Sequence, residues 1–149
     1  PAIEAIVSAE LARSPALPVT VTEGRARQVL AAADAGLVAS GTATLEAMLL
    51  GCPALMAYRV NALTAAVARR SIRIPFFAMP NLMAGEMLMP EFVQEQARAD
   101  VIAPALAGLL DKPGERERIA GRFHSLHKGL RRGASEQAAA AVAELLEHD

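Results

Sequence analysis

Short apolar runs alternate with stretches of helical spacing along most of this chain. Residues 18–22, 35–39, 54–58 and 75–79 are short and largely apolar, as strands covered on both faces should be. Around them, residues 2–12, 25–33, 42–50, 62–71, 100–110, 115–127 and 135–147 carry apolar positions at helical spacing. Gly51-Cys52-Pro53 stops the helix at 42–50, with glycine as its C-cap and proline opening the next strand. Strands alternating with helices predict an α/β fold with a parallel sheet and crossover helices. Residues 81–96 break the rhythm. They hold Asn81, Gly85, Pro90 and the three methionines Met83, Met87 and Met89, and they read as a long structured loop of the kind that carries function. Beyond Lys112 only helical spacing remains, which divides the chain into a domain at 1–111 and a helical tail at 112–149.

Composition narrows the class. The chain has 149 residues, 53% hydrophobic and 21% charged, enough for one domain with its own core and too apolar for a disordered segment. Its one cysteine, Cys52, excludes a disulfide framework and matches a reducing compartment. A formal net charge of -1 argues against a protein built to hold nucleic acid. No apolar run reaches the ~18 residues of a membrane span, and the first residues lack the pattern of a signal peptide. The expected location is cytoplasmic. The chain opens at Pro1 without a methionine and runs at once into the helical spacing of Ala2, Ile3, Ala5, Ile6 and Val7, so a piece of a longer protein is expected.

The strongest chemical signal lies at residues 34–46, where an apolar strand runs through Ser40-Gly41-Thr42 into a helix. That junction points a helix N-terminus out of the carboxyl edge of a parallel sheet, where open α/β folds bind ligands. Free amides, the helix dipole and the hydroxyls of Ser40, Thr42 and Thr44 make an anion site suited to phosphate, and Gly41 permits close backbone approach. Glu46 lies four residues after Thr42, ~6 Å further along the same helix face, where a carboxylate can accept hydrogen bonds from ribose hydroxyls. A nucleoside diphosphate fits. Ordinary N-capping by Ser40 or Thr42 accounts for the same residues equally well. The Gly-x-Gly-x-x-Gly and Walker patterns of dehydrogenases and ATPases are absent.

These residues resemble the lipid-A-disaccharide synthases, glycosyltransferases of the two-domain, Rossmann-like type B fold. The resemblance runs through Gly24-Arg25-Ala26-Arg27-Gln28-Val29, the Ser-Gly-Thr-Ala-Thr-Leu-Glu at 40–46, Gly51-Cys52-Pro53, Tyr58-Arg59, the Pro-Asn-Leu-Met-Ala-Gly at 80–85, the Pro-Glu-Phe-Val-Gln-Glu at 90–95, Leu126-His127 and Glu136-Gln137-Ala138-Ala139. It implies the C-terminal, donor-binding half of that fold, a parallel sheet with helices on both faces followed by C-terminal helices. The family transfers 2,3-diacylglucosamine from UDP to 2,3-diacylglucosamine 1-phosphate. By resemblance, Glu23 and Gly24 border the uracil, Ser40, Gly41, Thr42 and Thr44 face the diphosphate, and Glu46 faces the ribose. Asn81 and Arg69 take the catalytic places, with Arg70 and Arg73 near enough to substitute for Arg69. Glu91 and Gln94 line the donor sugar.

The resemblance further implies a first domain carrying the acceptor site and the catalytic base, absent from these residues, and a homodimer whose final helices exchange between subunits. It implies a peripheral place on the cytoplasmic face of the inner membrane. No cofactor is expected, and His124 and His127 lack a third metal ligand. Residues 116–132 hold Arg116, Arg118, Arg122, Lys128, Arg131 and Arg132 against Glu117, a solvated face or a contact for anionic lipid. Two other readings fit: another UDP-sugar enzyme of this fold, such as a peptidoglycan transferase or a 2-epimerase, and a non-catalytic nucleotide-binding module. The run at 80–85 argues against the first.

Overall fold

The computed structural model describes residues 2–61, 74–131 and 133–147. In chain order the elements are α1 (Ala2–Arg13), α2 (Ala26–Ala32), β1 (Gly36–Ala39), α3 (Thr42–Leu49), β2 (Ala54–Tyr58), α4 (Met79–Ala84) and β3 (Glu91–Val93). A 3-10 turn at Gln94–Gln96 follows, then α5 (Ala99–Leu110), α6 (Pro113–Leu130) and α7 (Ala134–Glu147).

The three strands form one parallel sheet in the order β1-β2-β3, so the α/β architecture stands. Gly36 pairs with Ala54, Val38 with Met56, and Met56 in turn with Glu91. Because side chains alternate along a strand, this register puts Val38, Ala54, Met56 and Val93 on one face. That face meets α3, α4 and α6 in the main core, where Ala47, Met48, Leu88, Met89, Ile119 and Phe123 join it. Leu37 and Leu55 share the opposite face; Leu55 is buried, whereas Leu37 on the edge strand is half exposed.

Local chemistry sets the element ends. Past α3, the Gly51 N–H donates to the Met48 carbonyl and the Cys52 N–H to that of Ala47, with Gly51 at φ 72°. This paired arrangement needs a left-handed residue, which glycine supplies. Pro53 then releases the chain into β2. The Cys52 thiol is buried, and that burial pushes its pKa up, so it stays a protonated, inert thiol.

Three expectations are corrected. Residues 18–22 form no strand; they carry exposed Val19 and Val21 and pair with neither edge of the sheet. Residues 75–79 are not a strand either, because the amides of Phe77, Ala78 and Met79 are taken by side chains instead of a ladder. The third strand is β3, inside the segment read as a loop, and that segment also contains most of α4. A three-residue strand after Pro90 has too little periodicity to be read. The helix expected at 62–71 lies outside the described residues. The remaining helices fall within a few residues of their expected bounds, and β2 matches at both ends.

Candidate functional site

The site grows from the end of β1. Beyond Ala39, Ser40 and Gly41 turn the chain into α3, with Gly41 at φ 114° and ψ −148°. Only glycine occupies that region without strain. A Cβ at Gly41 would meet no atom within 4 Å, so in this chain the requirement is the dihedral and not space. No side chain caps α3 among the described residues. Neither Ser40 nor Thr42 caps the helix with its side chain. The first amides of a helix lack acceptors one turn back; here the Thr44 N–H donates to the Gly41 carbonyl at 3.1 Å, while Gly41 and Thr42 ahead of it are exposed. Ser40 and Glu46 are half-buried. An uncapped, exposed helix start of this kind carries the positive end of the helix dipole and can take an anion.

Thr44 faces the other way. It is fully buried, and its hydroxyl donates to the Gly41 carbonyl at 2.8 Å while accepting the Met79 N–H at 3.3 Å. Thr44 thereby joins the turn at Gly41 to the first residue of α4.

The start of α4 has every early amide satisfied, unlike that of α3. The Phe77 N–H donates to both Glu91 carboxylate oxygens, at 3.0 and 2.9 Å, and the Ala78 N–H to Oε1 at 2.9 Å. The Met79 N–H donates to the Thr44 hydroxyl, Pro80 has no N–H, and the Asn81 N–H donates to the Ala78 carbonyl. Helix α4 is therefore no anion site.

Asn81 is fully buried and uses its whole side-chain capacity inside the protein. Its Nδ2 donates to the Met89 carbonyl at 2.6 Å and to Glu91 Oε1 at 2.8 Å, and its Oδ1 accepts the Leu88 and Met89 amides, both at 2.8 Å. Gln94 behaves similarly. Its Oε1 accepts the Val60 N–H at 2.8 Å and its Nε2 donates to the Val60 carbonyl at 3.2 Å, at a residue whose φ is 55°. The structure thus joins Asn81 and Glu91 in one internal network and sets Gln94 apart, on Val60. Glu23 and Gly24 lie in an exposed bend before α2, Gly24 with φ 68°. Arg69, Arg70 and Arg73 lie outside the described residues.

The basic helix α6 spends three of its arginines locally. Arg116 donates to the Leu109 and Leu110 carbonyls at the end of α5. Arg118 pairs with Glu115 at 2.8 Å, a hydrogen bond that holds the Glu115 carboxyl below its ordinary pKa. Arg122 reaches Glu86 at 2.6 Å. A shallow depression of about 280 Å³ lies between Asp34, Pro53, Pro113, Arg116, Glu117 and Ala120. Asp34 and Pro53 precede their strands, so this hollow is at the amino edge of the sheet, opposite the start of α3.

A family profile described as lipid-A-disaccharide synthetase matches residues 2–145. The chain belongs to the lipid-A-disaccharide synthetase family. Among curated members, the lipid-A-disaccharide synthase of Alcanivorax borkumensis is 47% identical over 133 residues, 89% of this chain and 35% of the relative. That of Sodalis glossinidius is 46% identical over 136 residues, 91% of this chain and 36% of the relative. That of Azotobacter vinelandii is 48% identical over 131 residues, 88% of this chain and 34% of the relative. The chain spans about a third of the length of these lipid-A-disaccharide synthetase relatives. No helix among the described residues is long and apolar enough to cross a membrane.

Proposed function

We propose that this chain forms the nucleotide-sugar donor side of an inverting hexosyltransferase that moves 2,3-diacylglucosamine from UDP to 2,3-diacylglucosamine 1-phosphate. The observation that carries the reading is the uncapped start of α3 over exposed Gly41, at the carboxyl end of a parallel strand. Ser40, Gly41 and Thr42 hold the diphosphate, and Glu46 binds the ribose one turn further on. Glu23 and Gly24 border the base. Arg69 neutralises the departing diphosphate. The donor side needs no covalent chemistry: it fixes the sugar's orientation and stabilises charge on the leaving group through helix amides and an arginine. The general base belongs to a further domain, so the 149-residue chain is expected to bind UDP and to turn nothing over.

Asn81, Glu91 and Gln94 fit this scheme as the frame that shapes the donor side. Asn81 and Glu91 bond each other and the backbone and so tie α4 to the start of β3, while Gln94 ties the end of β3 to Val60 beyond β2. Half-exposed Phe77 just before α4, and Met79 and Leu82 on it, give the same region an apolar surface compatible with an acylated sugar. The working protein is a homodimer lying peripherally on the cytoplasmic face of the inner membrane.

A UDP titration followed by backbone NMR tests the reading. Shifts concentrated at Gly24, Ser40 to Glu46 and Asn81 are expected. No response at millimolar UDP overturns it.

A further inference from the structure

We propose that Thr44 is a positioning residue that couples the diphosphate turn to α4, instead of a group that touches the nucleotide; this rests on the donor-site reading above. The hydroxyl is fully buried and both of its roles are taken. Its one proton goes to the Gly41 carbonyl, which leaves its lone pairs to receive the Met79 N–H. The first contact turns the Gly41 carbonyl inward, so that the peptide joining Gly41 to Thr42 presents its N–H to the open side. The second satisfies the first amide of α4, next in sequence after the Phe77 and Ala78 amides that Glu91 takes.

A continuous hydrogen-bonded chain follows. It runs from Gly41 through Thr44 to Met79, along the first turn of α4 to Glu91 and Asn81, and on to the Leu88 and Met89 amides. UDP seated on the α3 amides pulls on the Gly41 to Thr42 peptide and is felt at Met79 and Asn81 without touching either. The buried Asn81 therefore responds to the donor through Thr44.

Three variants of the 149-residue chain separate the parts. Thr44→Val keeps the shape and removes the hydroxyl, Thr44→Ser restores the hydroxyl without the methyl, and Met79→Pro removes the donor N–H together with an exposed side chain that UDP, which has no acyl chain, does not need. Proline suits the first position of a helix, and Ala78 before it is already extended, with φ −78° and ψ 131°. UDP affinity is expected to fall about three- to tenfold in Thr44→Val and Met79→Pro, the span of one net hydrogen bond, and to stay near wild type in Thr44→Ser. In unliganded spectra, the Gly41, Thr42 and Met79 amides shift in Thr44→Val and return in Thr44→Ser. Equal UDP affinity in Thr44→Val and wild type overturns the coupling, as does a Thr44→Ser variant no better than Thr44→Val. If wild type itself ignores UDP, the donor-site reading fails; the unliganded shifts then decide the Thr44 linkage alone, and their absence overturns it.

Discussion

Glycine at 41 is required by backbone geometry before any ligand arrives. Its φ of 114° and ψ of −148° lie where a Cβ strains the main chain, by about 1–3 kcal/mol, while the space around it is empty. Gly41→Ala is therefore expected to relax the turn, lower the melting temperature and weaken UDP binding together. Gly108→Ala is the matched control. It sits within α5, at no positive φ and with nothing near its Cβ, and the change is expected to leave affinity unaltered and stability equal or slightly higher. Calorimetric titration of both variants with UDP checks this, and equal affinities would remove the turn from the site. Sequence alone reads Gly41 as a place of close approach, because the spacing around it shows a helix start but not the dihedrals. Thr44 is misread for a related reason: Ser40, Thr42 and Thr44 all carry hydroxyls, and only the packing of α3 against α4 tells which one turns inward.

Among the elements, α4 and β3 act as one unit. Four hydrogen bonds at the Asn81 side chain, two donated and two accepted, and three from backbone amides to Glu91 join them. Asn81→Ala leaves the Leu88 and Met89 amides and the Met89 carbonyl buried without partners, at about 1–3 kcal/mol for each group. A loss of about 3 kcal/mol or more in urea-unfolding free energy is expected, and a loss under 1 kcal/mol would show that the frame is dispensable. This unit also marks the boundary of what the sequence reveals. The motif at 80–85 and Pro90-Glu91 stands out by composition, yet its polar residues are as consistent with gripping a sugar as with gripping the main chain. The direction of a side chain is fixed by the sheet register, which puts Glu91 opposite Met56 on the core side. Strand β2 is legible because five apolar residues follow a Gly-Cys-Pro stop, whereas 18–22 has the composition of a strand and no partner edge.

Across the whole molecule, the two long C-terminal helices differ in kind although they read alike as a basic and an alanine-rich tail. Helix α6 is core: Phe123 is fully buried and Ile119 nearly so, and it packs on α3. Helix α7 has no buried side chain among its described residues, and Val142 is 57% exposed. A chain ending at Arg131 is therefore expected to unfold in urea as cooperatively as the parent. A chain ending at Lys112 loses Ile119 and Phe123, at about 3–5 kcal/mol for the phenylalanine alone, and is expected not to fold. Oligomeric state adds a second readout. If α7 joins subunits, the stability of the full chain rises with protein concentration by mass action, while that of the chain ending at Arg131 does not. Sedimentation of the two chains should then show a dimer and a monomer. A full chain whose urea midpoint ignores concentration, and which sediments as a monomer, would leave α7 without a partner of its own kind and remove the dimer from the proposed function.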